Sequence, residues 1–181
     1  RYLPRDSALQ WCQPVESDFH ARHSALGRRY RYLLLQSAVR PSLEHDLCGW
    51  SFRPLDGAAM REAAAVLIGE HDFSSFRAAE CQALSPVKTL RAIGIEQRGA
   101  YWRFDFDANA FLHHMVRNLM GCLLAVGEGR QSPGWLAEVL AARSRDAAAP
   151  TFAPDGLYFL GPYYDARHAI PEHTPAMDWL P

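Results

Sequence analysis

Lysine is almost missing from this chain: of its 19 basic residues only Lys88 is a lysine, and the rest are arginines. Basic and acidic side chains otherwise balance, at a formal net charge of −1 and a pI near 6.8, so no global charge excess marks a nucleic-acid or membrane partner. No apolar run approaches bilayer length and no signal peptide is visible. The cysteines, Cys12, Cys48, Cys81 and Cys122, are scattered without a Cys-x-x-Cys pair, so they read as reduced thiols of a cytosolic protein rather than as a disulfide framework. A metal site is not expected either. His113 and His114 are adjacent, so on a helix their side chains would diverge by about 100° and could not share a metal, and no His-x-x-x-His pair has a carboxylate partner. The chain also lacks a Gly-x-Ser-x-Gly elbow and a phosphate-cradling glycine loop; Ser74 and Ser75 read as caps or core instead.

What is present suffices for an ordinary core. A chain of 181 residues, 49% hydrophobic and 12% aromatic, fits one large domain or a domain plus part of another. It opens on Arg1 and runs at once into Tyr2-Leu3-Pro4, which reads as a truncated start. The arginine bias has two readings. Arginine offers a planar fork of donors suited to phosphate and carboxylate, and a G- and C-rich genome yields the same bias.

Residues 8 to 15 fit a short strand ended by Pro14, and Arg28 to Leu35 a longer one with Tyr30 and Tyr32 on one face and Arg29 and Arg31 on the other. Residues 36 to 54 are loop-like. Asp56 is placed to cap a helix running to about Gly69, and a turn-rich stretch follows from His71 to Pro86. Leu90 to Gln97 and Tyr101 to Ala108 flank Arg98-Gly99-Ala100 as a hairpin, with Trp102, Phe104 and Phe106 on one side. A helix is expected through Phe111, Met115, Leu119, Cys122 and Val126, with one buried face. A second follows from Ser132-Pro133 to about Ala142, and a last strand from Gly156 to Tyr164. This pattern lacks regular βαβ spacing. It predicts an α+β fold with a mostly antiparallel sheet and helices on one face.

Two features stand out chemically. Arg22, Arg28, Arg29 and Arg31 alternate with His20, His23, Tyr30 and Tyr32, which suits either an RNA surface or a solvated strand face over core tyrosines. Arg117 sits off the apolar stripe of its helix, near His113. A charge at the edge of a packed layer is costly unless paired, so it reads either as a structural ion pair or as an arginine that orients a catalytic carboxylate. The residues alone leave both pairs of readings open.

Four segments together resemble the bacterial tRNA pseudouridine synthase A family. They are Asp18-Phe19-His20-Ala21-Arg22 leading to Arg28-Arg29-Tyr30-Arg31-Tyr32; Asp72-Phe73-Ser74-Ser75-Phe76-Arg77; Ala108 to Gly121, with its Phe-Leu-His-His-Met-Val-Arg-Asn core; and Ala153-Pro154-Asp155-Gly156-Leu157-Tyr158-Phe159. Ser85-Pro86-Val87-Lys88-Thr89 also fits. The resemblance implies a cytoplasmic isomerase that converts uridine to pseudouridine at positions 38 to 40 of the tRNA anticodon arm, without cofactor or metal, usually as a homodimer. It implies that residues 1–17 are a remnant of an N-terminal domain and linker, 18–165 the C-terminal pseudouridine synthase domain, and 166–181 a variable tail. The family's nucleophilic aspartate lies in an Arg-Thr-Asp-Ala-Gly motif that is absent here, so these residues alone are expected to be inactive. Carried over by motif, Tyr30 packs against the target uracil and is a candidate base. Arg117 pairs with the catalytic aspartate, and Leu157 covers the uracil. Arg22, Arg28 and Arg77 are candidate phosphate contacts. The alternative is a non-catalytic RNA-binding module with the same fold.

Overall fold

A computed structural model describes residues 2–171. Six strands form one sheet: β1 (Ala25–Gln36), β2 (Gly49–Ser51), β3 (Gly69–Asp72), β4 (Val87–Arg98), β5 (Tyr101–Ala108) and β6 (Leu157–Tyr164). Their order is β2-β1-β5-β4-β3, with β6 paired to the same side of β1 as β2 but further back along it. All pairings are antiparallel except β1 with β2. The helices are α1 (Gly57–Ala65), α2 (Met115–Gly127) and α3 (Trp135–Ala142). They pack over the face of the sheet that carries Tyr32, Leu34, Trp102, Phe104 and Phe106, and this layer is the main core. The α+β class expected from the sequence is the one observed.

Local chemistry explains most of the elements. The β4–β5 turn places Gly99 at a φ of +59°, a left-handed conformation that costs glycine little, and Trp102, Phe104 and Phe106 are buried as the alternation requires. Asp56 caps α1 by accepting from the N–H groups of Ala58 and Ala59 at 2.8 and 3.0 Å. That helix ends at Ala65, short of the expected Gly69, whose φ of +114° instead starts β3. The stretch from His71 to Pro86 thus holds the end of β3 and a single 3-10 turn at Ser74–Phe76.

Two other expectations fail. Residues 8 to 15 form no strand: Leu9, Trp11 and Val15 are exposed and no neighbouring strand supplies hydrogen bonds. Residues 36 to 54 are not all loop, because β2 pairs in parallel with Leu34 to Gln36, a partner no local pattern reveals. The tail expected from residue 166 starts with a 3-10 turn at Ala166–His168, and its residues 172–181 lie outside the described part.

Helix α2 is the centre of the molecule. The single buried face expected of it is instead burial on nearly every side, with Arg117 the exception. The sheet and α1 cover part of it, and a strap of residues 149 to 153 covers the rest. The N–H of Ala149 donates to Cys122 Sγ at 3.3 Å, the Thr151 hydroxyl to Asn118 Oδ1 at 2.6 Å, and the N–H of Phe152 to the Arg117 carbonyl at 3.2 Å. The strap can lie this close because residue 121 is glycine; a Cβ there would collide with the Pro150 carbonyl.

Candidate active site

Arg117 is in the first turn of α2, and its side chain is held at its root. Its Nε donates to the Phe152 carbonyl at 2.8 Å, while the Phe152 N–H returns a bond to the Arg117 carbonyl. Among the described residues the guanidinium makes no ion pair. Its two Nη groups thus keep donors in hand where the side chain lines an open cavity of about 550 Å³.

Three of the residues singled out from sequence meet Arg117 in that cavity: Tyr30, Leu157 and Arg22. Tyr30 comes from β1, opposite a bulge in β6 between its pairing with Phe159 and that of Arg29 with Gly161. Such a bulge re-aims side chains locally. The Tyr30 ring stands edge-on to Phe111 at 5.1 Å and tilts against Phe159 at 5.1 Å, so its orientation is fixed by packing. Burial pushes its phenol above the usual value of 10.0, with Arg28 pulling weakly the other way, so the ring is neutral at pH 7. Leu157 opens β6 and gives the cavity an apolar wall.

Arg28 and Arg77 do not line the cavity; both brace its surroundings. Arg28 donates to the carbonyls of Ala25, Asn109 and Arg22, and so ties the turn that carries Arg22 to the end of β5. Arg77 donates to the carbonyls of Cys81 and Ala83 at 2.7 and 2.9 Å, and thereby shapes the cavity rim.

The rim also holds groups that the motif reading passed over. Burial acts to raise the Cys81 thiol, but N–H groups of His113 and Ala83 and the nearby Arg77 together lower it. His113 and His114 are not on the helix: His114 precedes α2 at a φ of +59°, and the two rings stack at 4.0 Å rather than diverge. Burial, then His113 and Arg117, push the His114 imidazole below 6.5, so it is neutral at pH 7. Glu80 is the carboxylate of the cavity lining. It lies 4.0 Å from His113, and its side chain is largely exposed. Phe111 belongs to the expected apolar stripe but reaches Tyr30 from a loop before the helix. Among the described residues no cluster of His, Cys, Asp and Glu could hold a metal ion, and no helix is long and apolar enough to cross a membrane.

An arginine with free donors, a packed tyrosine and an apolar wall around one cleft suit a flat, polar ring and an anionic partner. Comparison with known proteins gives the family. Residues 63–165 match the sequence model of a family described as tRNA pseudouridine synthase. A protein named tRNA pseudouridine synthase A from Methylibium petroleiphilum is 72% identical over the whole chain, which covers 70% of that relative. Its namesakes from Polaromonas naphthalenivorans and a further Polaromonas strain are 65% and 61% identical over 99% of the chain, again covering 70% of each.

Proposed function

This chain belongs to the tRNA pseudouridine synthase family, a family of isomerases, and from that premise we propose that the Tyr30–Arg117–Leu157 cleft is where the target uridine is isomerised. The observation that carries the reading is the convergence on one cleft of an arginine whose two Nη groups are uncommitted among the described residues, a tyrosine fixed by packing and an apolar wall. The reaction breaks the bond from the ribose C1′ to uracil N1 and forms one from C1′ to C5; a proton leaves C5 and one is gained at N1. It needs no oxidant and no cofactor. The uracil must leave its stack to enter the cleft, where the Tyr30 ring and Leu157 offer the two kinds of surface a flat base accepts.

Arg117 holds and orients the nucleophilic carboxylate. In this reading the carboxylate is the aspartate of the Arg-Thr-Asp-Ala-Gly motif that the family resemblance implies and that this sequence does not contain. A bidentate arginine would keep that carboxylate ionised and aimed at the sugar. The Tyr30 oxygen receives the C5 proton from the small fraction of the phenol that is ionised. Arg22, at the cavity mouth, meets a phosphate, while Arg28 and Arg77 act on the RNA indirectly through the turns they brace. Positions 38 to 40 of the anticodon arm, a homodimeric assembly and a cytoplasmic location complete the reading.

The test is tritium release from tRNA carrying 5-³H-uridine. The intact enzyme is expected to turn over, and residues 1–181 alone to give no release above background. Robust turnover by those residues alone would place the nucleophile within them and contradict the account. Failure of the intact enzyme to release tritium, with tRNA bound normally, would favour the non-catalytic RNA-binding module.

A further inference from the structure

Asn118 is fully buried in α2, among residues as apolar as Met115, Leu119 and Cys122. A primary amide there is unfavourable unless its polar atoms are bonded, and a leucine would pack better. Its bonds are therefore the reason to look at it. Nδ2 donates to the Phe76 carbonyl at 2.8 Å, and Oδ1 accepts from the Thr151 hydroxyl at 2.6 Å.

The polarity of this network is settled at Phe76, whose carbonyl can only accept, so the Asn118 NH2 faces it and Oδ1 faces Thr151. Arg145 Nη2 donates to Thr151 Oγ1 at 3.0 Å, and a guanidinium has no acceptor. The single hydroxyl proton of Thr151 is thus free to go to Asn118 Oδ1. No flip of the amide satisfies both neighbours.

One residue beyond Thr151 is Phe152, whose carbonyl holds Arg117 Nε and whose N–H holds the Arg117 carbonyl. The anchor of the strap and the clamp on the arginine are consecutive in the chain. Asn118 also grips the 3-10 turn Ser74–Phe76, from which Arg77 reaches out to shape the cavity rim. We propose that Asn118 is a positioning residue for the isomerisation: through Thr151 it fixes the Phe152 carbonyl, and through that carbonyl the direction in which Arg117 presents its guanidinium to the cleft. This inference rests on the role given to Arg117 above.

The test uses the intact enzyme, with single-turnover tritium release and tRNA affinity measured side by side. Asn118→Leu removes the node but can also fail to fold, so Thr151→Val is the deciding variant; it keeps shape near the surface and loses only the hydroxyl. Thr151→Val is expected to slow the chemical step roughly 10- to 100-fold, the scale on which small misplacements act, with tRNA affinity within about twofold of wild type. Thr151→Ser restores the hydroxyl and should restore the rate. If the effect passes through Arg117, Thr151→Val adds little in an Arg117→Lys background. A normal rate for Thr151→Val, or a loss that simply adds to that of Arg117→Lys, would overturn the inference. A normal rate for Arg117→Lys itself would overturn the role of Arg117 and the inference together, whereas a slow Arg117→Lys beside a normal Thr151→Val would overturn the inference alone.

Discussion

Tyr30 and Asp72 have perturbed proton affinities in opposite directions, and each makes a measurable demand. The Tyr30 phenol is raised by burial, so its ionised form is scarce at pH 7 and grows about tenfold per pH unit below its pKa. If its oxygen takes the C5 proton, the single-turnover rate should climb with that slope between about pH 7 and 9. Tyr30→Phe should cost on the order of 10²- to 10⁴-fold, and its profile should be flat. A flat profile for the wild type would leave Tyr30 only its packing against the base. Asp72 is lowered chiefly by the Ser74 hydroxyl, which donates to Oδ1 at 2.6 Å, with help from the Ser74 N–H and Arg143. A depressed carboxylate stabilises the fold above its ordinary value of 3.8 and loses that contribution as pH falls through the folded value. Ser74→Ala should thus cost about 1 kcal/mol in urea unfolding at pH 7, with the difference from wild type shrinking at the acid end of that window. An unchanged gap at pH 7 and in acid would mean the pair is not what holds the turn.

Among the elements, α2 and its strap carry the site. Gly121→Ala should destabilise the protein by up to about 2 kcal/mol net, from an overpacking cost of about 1–3 kcal/mol against a helix-propensity gain of about 1 kcal/mol. It should also slow the reaction, because the displaced Pro150 carries Phe152 and its bond to Arg117 along. Denaturant melts and single-turnover rates check both effects, and a variant as stable and fast as wild type would show that the strap can yield. Elements with local signals were legible in the sequence. The β4–β5 hairpin has its alternation and its Gly99 turn, and α1 has its cap at Asp56. The start of α2 is not legible, because Phe111 keeps helical spacing while packing onto Tyr30 from a loop, and because nothing nearby announces the left-handed His114. Strand β2 was invisible for another reason: three residues become a strand only by pairing with Leu34 to Gln36. The apolar Leu9 and Trp11 misled in the opposite sense, since a strand needs a partner.

At the scale of the whole molecule, the sheet and helices bring together residues far apart in the chain: Arg22, Tyr30, Arg117 and Leu157 around one cleft. Motif resemblance pointed to all four, whereas Arg28 and Arg77 belong to the frame around the cleft rather than to its lining. Asn118 lies within the Ala108 to Gly121 segment, but nothing in the sequence marks it, because burial of an amide is visible only once Phe76 and Thr151 are in place. The central claim is that Arg117 orients a carboxylate rather than gripping the RNA, and Arg117→Lys in the intact enzyme tests it most directly. Lysine keeps the charge but loses the two-pronged fork. The account predicts a single-turnover rate lowered by about 100-fold or more, as expected when a preorganised pair of donors is lost from the reacting centre, with tRNA affinity close to wild type. Weakened tRNA binding with a normal single-turnover rate would contradict it.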